Sequence, residues 1–243
     1  MTKQAFGIFI VCILNCFFIF KIAILLLIYR KLEGKMSLLT SLRQLTLKNK
    51  HFTLFANNCI SGFIYQRYNL KYETPTIGVG FMPLEFIKFC KNYEYYLNCE
   101  LVQTDDFNHD WFAPTGGGEV NFPVGRLNDI CLYFQHSKDF EKSKADWEKR
   151  KKRINKDNIF MVLYDVEPSL ETFKEFETIE SENKIYMYHK DLEINSKYAF
   201  QIKNFNDPTR GWWSKMQKHN PISKRYFEQF DFTKWMNDAN KGK

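Results

Sequence analysis

Residues 158–165, Asn-Ile-Phe-Met-Val-Leu-Tyr-Asp, constrain this chain more than any other stretch. Six apolar or aromatic side chains stand in a row between two polar ends. A strand points alternate side chains to opposite faces, so an unbroken apolar run needs cover on both. That is the demand of a central strand with helices above and below it.

The surrounding sequence supplies such helices and further strands. Ser37–Lys48 reads as a short amphipathic helix carrying Leu38, Leu39, Leu42 and Leu45, and it leads to a strand at Phe52–Ala56. Pro75–Phe81 reads as a tight extended segment relieved by Gly78 and Gly80. Pro83 opens a helix through Lys91, with proline in its favoured first turn. Leu97–Gln103 reads as a strand and Thr104–Gly118 as a polar loop. Ile130–Gln135 reads as a strand ending at His136, and Asp139–Arg153 as a charged helix. Ser169–Thr178 is expected to be helical behind Pro168, Lys184–His189 and Tyr198–Ile202 to be strands, and Tyr226–Asp238 a closing helix. Alternation of this kind predicts an α/β domain of three layers, α/β/α, around a mixed, mostly parallel sheet spanning residues 36–243.

Residues 1–35 stand apart. Ala5–Tyr29 is almost unbroken apolar sequence, long enough for one transmembrane helix, with Arg30 and Lys31 directly after it. More positive charge follows the span than precedes it, which orients the globular part toward the cytoplasm. Alternatively Met36 is the true start, because the codons of Glu33-Gly34-Lys35 can spell a purine-rich ribosome-binding site. Either way the working domain is expected in the cytoplasm, at the inner membrane if residues 5–29 are made. The net charge of +7 is concentrated here too: residues 1–35 carry +4 and the rest +3. That excludes the footprint of a nucleic-acid binder. The six cysteines form no CxxC pair and no zinc spacing, so they read as free thiols in a reducing compartment, and no metal is expected.

The site is expected at the turn after Ala56. Asn57-Asn58-Cys59-Ile60-Ser61-Gly62 follows a strand, and ligands of open α/β sheets sit at the carboxyl edge of the strands. Asparagines and Gly62 suit a sharp turn with left-handed backbone. Cys59 and Ser61 are candidate nucleophiles and His136, also after a strand, is the candidate base. An imidazole beside a thiol or hydroxyl is the minimum for acyl transfer, with turn N–H groups at the oxyanion. Asp129, Asp139 or Asp165 would orient the histidine. Lys149-Arg150-Lys151-Lys152-Arg153 complements a helix C-terminus, and it also offers Arg150 and Arg153 to phosphate. Trp147 is expected to dock that helix on the sheet. Asp105-Asp106, with His109 and Asp110, is an alternative locus for a cation in a nucleotide-sugar glycosyltransferase. Gly116-Gly117-Gly118 fails the strand–helix context of a nucleotide fingerprint and reads as loop. Trp212-Trp213 reads as a hydrophobic clasp.

Many of these residues recur in one family. Phe52-Thr53, Asn57-Asn58-Cys59, Gly62–Tyr65, Pro75–Gly78, Phe86–Phe89, Pro123-Val124-Gly125, Asp129-Ile130, Phe134, His136, Trp147 and Arg150–Asn155 resemble domain of unknown function 1919, a bacterial family over about residues 50–190. Its members are often labelled exopolysaccharide biosynthesis proteins. Ile60 stands where tryptophan is expected and Ser61 where the first of two glycines is expected. The resemblance implies a three-layer α/β fold and adds Asn57, Asn58, Gly62, Tyr65, Gly78, Gly125 and Trp147 to the candidate binding positions. The leading expectation is an O-acyltransferase acting on a sugar hydroxyl of a polysaccharide or lipid-linked sugar. Acyl-coenzyme A would be a co-substrate, with no tightly bound cofactor. The alternatives are the glycosyltransferase and a non-catalytic scaffold of polysaccharide assembly.

Overall fold

The computed structural model describes residues 38–108, 120–203 and 226–239. The hydrophobic segment 1–35, His109, Asp110, Gly116–Gly118 and Trp212-Trp213 lie outside them. In chain order the elements are α1 (Leu38–Thr46), β1 (Thr53–Ala56), α2 (Ile60–Arg67), α3 (Pro83–Lys91), α4 (Tyr93–Asn98), β2 (Leu101–Gln103) and β3 (Val124–Leu127). There follow β4 (Ile130–Tyr133), α5 (Phe140–Lys151), β5 (Ile159–Tyr164), α6 (Leu170–Glu177), β6 (Lys184–Tyr188), β7 (Ala199–Gln201) and α7 (Phe232–Asp238). Two compact units result. Of the described residues, the smaller takes 38–48 with 67–69, and in it the Gln44 side-chain amide donates to the Tyr68 carbonyl at 2.6 Å. The larger holds the rest, and among the described residues every strand lies in it.

In the larger unit β1, β5, β6 and β7 form a parallel sheet in that order. The apolar run around residue 160 is its second strand, and Phe160–Tyr164 are all buried. Alternation then sorts the two faces. Phe160 packs edge-on against Phe52 and Trp235, and Phe52 stacks on Tyr65, so α2 and α7 cover one face. Met161 and Leu163 join Phe55, Phe89, Trp147, Phe173 and Tyr186 on the other, under α3, α5 and α6. The chain is an α/β protein with helices on both faces of a parallel sheet.

The antiparallel strands sort into a second sheet, β2-β3-β4, rather than into a single mixed one. Leu127 pairs with Ile130 across a two-residue connection, and Asn128 there takes a left-handed φ of 53°. A hairpin needs no crossover, so β3 and β4 pair locally, and β2 adds to the free edge of β3. Leu101, Leu127, Ile130 and Leu132 send one face of this sheet into the same core, and α3 packs against both β4 and β5. The stretch expected as a strand from Leu97 is helix α4 as far as Asn98, and only Leu101–Gln103 is extended.

The helix starts follow from local chemistry. Asp139, Ser169 and Asp231 cap α5, α6 and α7, each side chain accepting from the backbone N–H three residues on. Pro83 occupies the first turn of α3. Among the described residues no helix is long and apolar enough to cross a membrane.

Candidate functional site

The site begins where β1 stops. Asn57 continues the ladder with its side chain: its Nδ2 donates to the Tyr164 carbonyl and its Oδ1 accepts from the Tyr164 N–H, both at 2.9 Å. A carboxamide carries one donor face and one acceptor, as a peptide unit does, so Asn57 holds the end of β1 to β5 after the backbone turns away. Asn58 Oδ1 accepts from the Ile60 N–H at 3.0 Å, and the Cys59 carbonyl accepts the first helical bond from the Phe63 N–H at 3.1 Å. Cys59 is thus the N-cap residue of α2. Both asparagines are structural, and neither adopts the left-handed backbone expected of them. Gly62 is not in the turn at all. It is the third residue of α2, and a Cβ there would meet Ile77 Cγ2 at 3.9 Å.

Cys59 Sγ lies 2.9 Å from His136 Nε2. The contact is made across 77 residues, and a short irregular segment accounts for it. Gly80 bridges Tyr133 at the end of β4, with N–H to carbonyl distances of 2.8 and 3.0 Å in the two directions. One residue on, the Phe81 N–H donates to the Asn57 carbonyl at 3.0 Å. These bonds clamp the end of β4 to the end of β1. Gly78 sits at φ +70°, where an L side chain is strained, and a Cβ there would stand 3.8 Å from the His136 ring. His136 itself is exposed, in the turn that leaves β4.

Two influences on the thiol oppose each other. The N-terminus of α2 favours a thiolate, but burial pushes Cys59 up to about 11. Cys59 therefore rests as a thiol at neutral pH, within hydrogen-bond reach of the His136 ring. Cys59 needs His136 to take its proton before it can act as a nucleophile.

The other sequence candidates divide. Ser61 is completely buried inside the first turn of α2 with its Oγ unpartnered, so it offers no accessible hydroxyl. Asp129 stands at the opposite end of β4 from His136, accepting from Tyr96 at 2.8 Å and from Lys88 at 3.0 Å. The Tyr96 hydroxyl and the Lys88 ammonium hold its carboxyl below the usual range. Asp139 is spent on capping α5, accepting from the Lys142 N–H at 3.1 Å. Asp165 is buried under the Tyr186 hydroxyl at 2.8 Å. Among the described residues the hydrogen bond of the His136 ring is to Cys59, and Asp129, Asp139 and Asp165 bond elsewhere. Tyr65 donates to the Phe52 carbonyl at 2.6 Å in the core, and is structural. Gly125 gives β3 room for Leu101, whose Cδ1 would come within 2.7 Å of a Cβ there. Asp106 pairs with Arg126 at 2.9 Å, and among the described residues no group of three or more His, Cys, Asp or Glu could hold a metal.

A cleft of about 550 Å³ opens beside His136, lined also by Gly78, Lys138, Lys142, Trp147 and Arg150. Arg150 is fixed on the Ile77 carbonyl and on Asp146, both at 3.1 Å, with its guanidinium 5.7 Å from the centre of the Tyr72 ring. Arg153 reaches the Tyr72 carbonyl at 3.4 Å and is not in the cleft lining. Trp147 docks α5 on the core as expected, 6.4 Å from the centre of Phe89. Lys138 and Lys142, which sequence reasoning missed, line the cleft where Arg153 does not. Their signal was there: Lys138 follows His136 by two residues, and Lys142 lies one helical turn further.

The model of a family described as a domain of unknown function, DUF1919, matches residues 31–237. The chain belongs to the DUF1919 family. An uncharacterised protein of Haemophilus influenzae is 27% identical over 205 residues, covering 81% of this chain and 89% of that protein. The DUF1919 match spans the Cys59–His136 pair and the whole of the cleft beside it.

Proposed function

We propose that this DUF1919 protein is a cysteine-dependent acyltransferase of surface-polysaccharide synthesis, moving an acyl group from acyl-coenzyme A to a sugar hydroxyl. The observation that carries the reading is the 2.9 Å contact between Cys59 Sγ and His136 Nε2 at the N-terminus of α2. Proton transfer from Sγ to Nε2 yields a thiolate, which attacks the thioester carbonyl of the donor. The tetrahedral oxyanion would be met by N–H groups in the first turn of α2 beyond that of Ile60, which Asn58 engages. Collapse expels the coenzyme thiolate, which takes the proton back from His136. His136 then removes the proton of the acceptor hydroxyl, that oxygen attacks the acyl-Cys59 carbonyl, and the Cys59 sulfur leaves with the proton. Exchange of a thioester for an oxygen ester drives the second half. The sugar acceptor rests on the label that many members of the family carry, and the thioester donor on the dyad and its cationic cleft.

The test is direct. Intact-mass measurement after mixing the full chain with acetyl-coenzyme A is expected to show one acetyl adduct, mapped by peptide sequencing to Cys59. His136→Ala should slow its formation by about 10²–10⁴-fold with the circular dichroism unchanged, the range typical of a lost general base. A wild-type protein that gains no adduct at saturating donor overturns the reading.

A further inference from the structure

We infer that the cleft beside His136 is a diphosphate-binding subsite, with Lys138, Lys142 and Arg150 as its cationic walls. The identity of the molecule that carries the diphosphate there rests on the acyl-transfer reading; the subsite itself does not.

The argument is an inventory of donors and acceptors. Arg150 is anchored by Ile77 and Asp146, so its planar fork is presented without the entropy of a free side chain. Of the two carboxylates in the lining, Asp146 is engaged by Arg150 and Asp139 by the α5 cap. Lys138 and Lys142 make no ion pair among the described residues, so two ammonium groups remain uncommitted. The cleft therefore holds a surplus of donors and of positive charge, and what complements it is a group that only accepts and carries negative charge. A diphosphate is such a group, and the volume of about 550 Å³ leaves room for the rest of a nucleotide-sized ligand.

Calorimetric titration of the full chain with inorganic pyrophosphate, coenzyme A and UDP tests this. Saturable binding of pyrophosphate and of at least one nucleotide is expected. A Lys138→Ala/Lys142→Ala double variant, both positions exposed, should weaken it by about tenfold or more, as loss of charge-assisted hydrogen bonds does. Cys59→Ala should bind as the wild type does. No binding of any probe overturns the subsite, and so does undiminished binding by a double variant whose circular dichroism matches the wild type. Coenzyme A binding more tightly than UDP supports the thioester donor. UDP binding more tightly keeps the subsite and removes that donor. Pyrophosphate bound as stated, with no acyl adduct on Cys59, likewise leaves the subsite standing while the acyl-transfer reading falls.

Discussion

Cys59 and Cys90 are two free thiols raised by the same cause and placed in opposite surroundings. Burial pushes both above their ordinary value, Cys59 to about 11 and Cys90 well beyond the ordinary thiol range. Cys90 lies within α3, 3% exposed in a core of phenylalanines, where a small apolar side chain is all the packing needs. Cys59 lies at a helix start, half-buried, with an imidazole nitrogen at 2.9 Å. What distinguishes the two thiols is a proton acceptor within reach of Cys59, and not the resting acidity of the sulfur; the proposed reaction rests on that difference.

Exchanging the two roles by mutation gives the largest expected effects. Cys59→Ala should abolish transfer, a loss of at least about 10³-fold as for other removed nucleophiles, while the midpoint of urea unfolding barely moves. Cys90→Ser should do the reverse. It puts a hydroxyl into an apolar core at a cost of about 1–3 kcal/mol in unfolding free energy, and transfer by the folded fraction is retained. Transfer surviving Cys59→Ala would break the comparison at its centre.

The next effect is a pH dependence, on the order of 2 kcal/mol. A thiol whose folded pKa lies above its unfolded value stabilises the fold below the unfolded value and loses that contribution as pH rises through the folded one. For Cys59 the window runs from the ordinary value of 9.0 to about 11. Urea unfolding at pH 8, 9, 10 and 11 should therefore show a steeper decline for the wild type than for Cys59→Ala across that window. Against Cys90→Ser, the wild type should go on losing relative stability above that window, so that the variant's deficit at pH 8 shrinks as pH rises. Parallel curves for wild type and Cys59→Ala would mean that burial is not what holds this thiol neutral.

The sequence was a better guide to the two contacting groups, Cys59 and His136, than to what brings them together. Cys59 and His136 were legible because each follows an apolar strand, and strand ends are where an α/β sheet exposes its polar groups. The caps at Asp139 and Ser169 and the proline start of α3 were legible for a similar reason, since each acts within one turn of chain. The burial of Ser61 was not legible, because α2 begins one residue before it and helical geometry turns Ser61 into the core while Cys59 stays half-buried at the N-cap. The clamp of Gly80 on Tyr133 and of Phe81 on Asn57 was not legible, because those bonds join segments far apart in the chain. The division into two sheets was hidden likewise, since a strand pattern does not name its partner.

Asp129 provides the smallest and sharpest contrast, because its position assigns it to the Cys90 side of the molecule. Its carboxylate is bound by Lys88, which shares α3 with Cys90, and by Tyr96 of α4, while β4 separates it from His136. A carboxylate that orients a catalytic histidine is worth about 10⁴-fold in turnover when it becomes an amide. Asp129→Asn is instead expected to leave transfer within twofold of wild type and to lower stability by less than about 1 kcal/mol, as for other exposed ion pairs. Measured kcat and the unfolding midpoint decide between the two. A collapse in kcat with stability intact would bring Asp129 to His136 during turnover and restore a triad, whereas a small loss of stability alone leaves Cys59 and His136 to act as a pair.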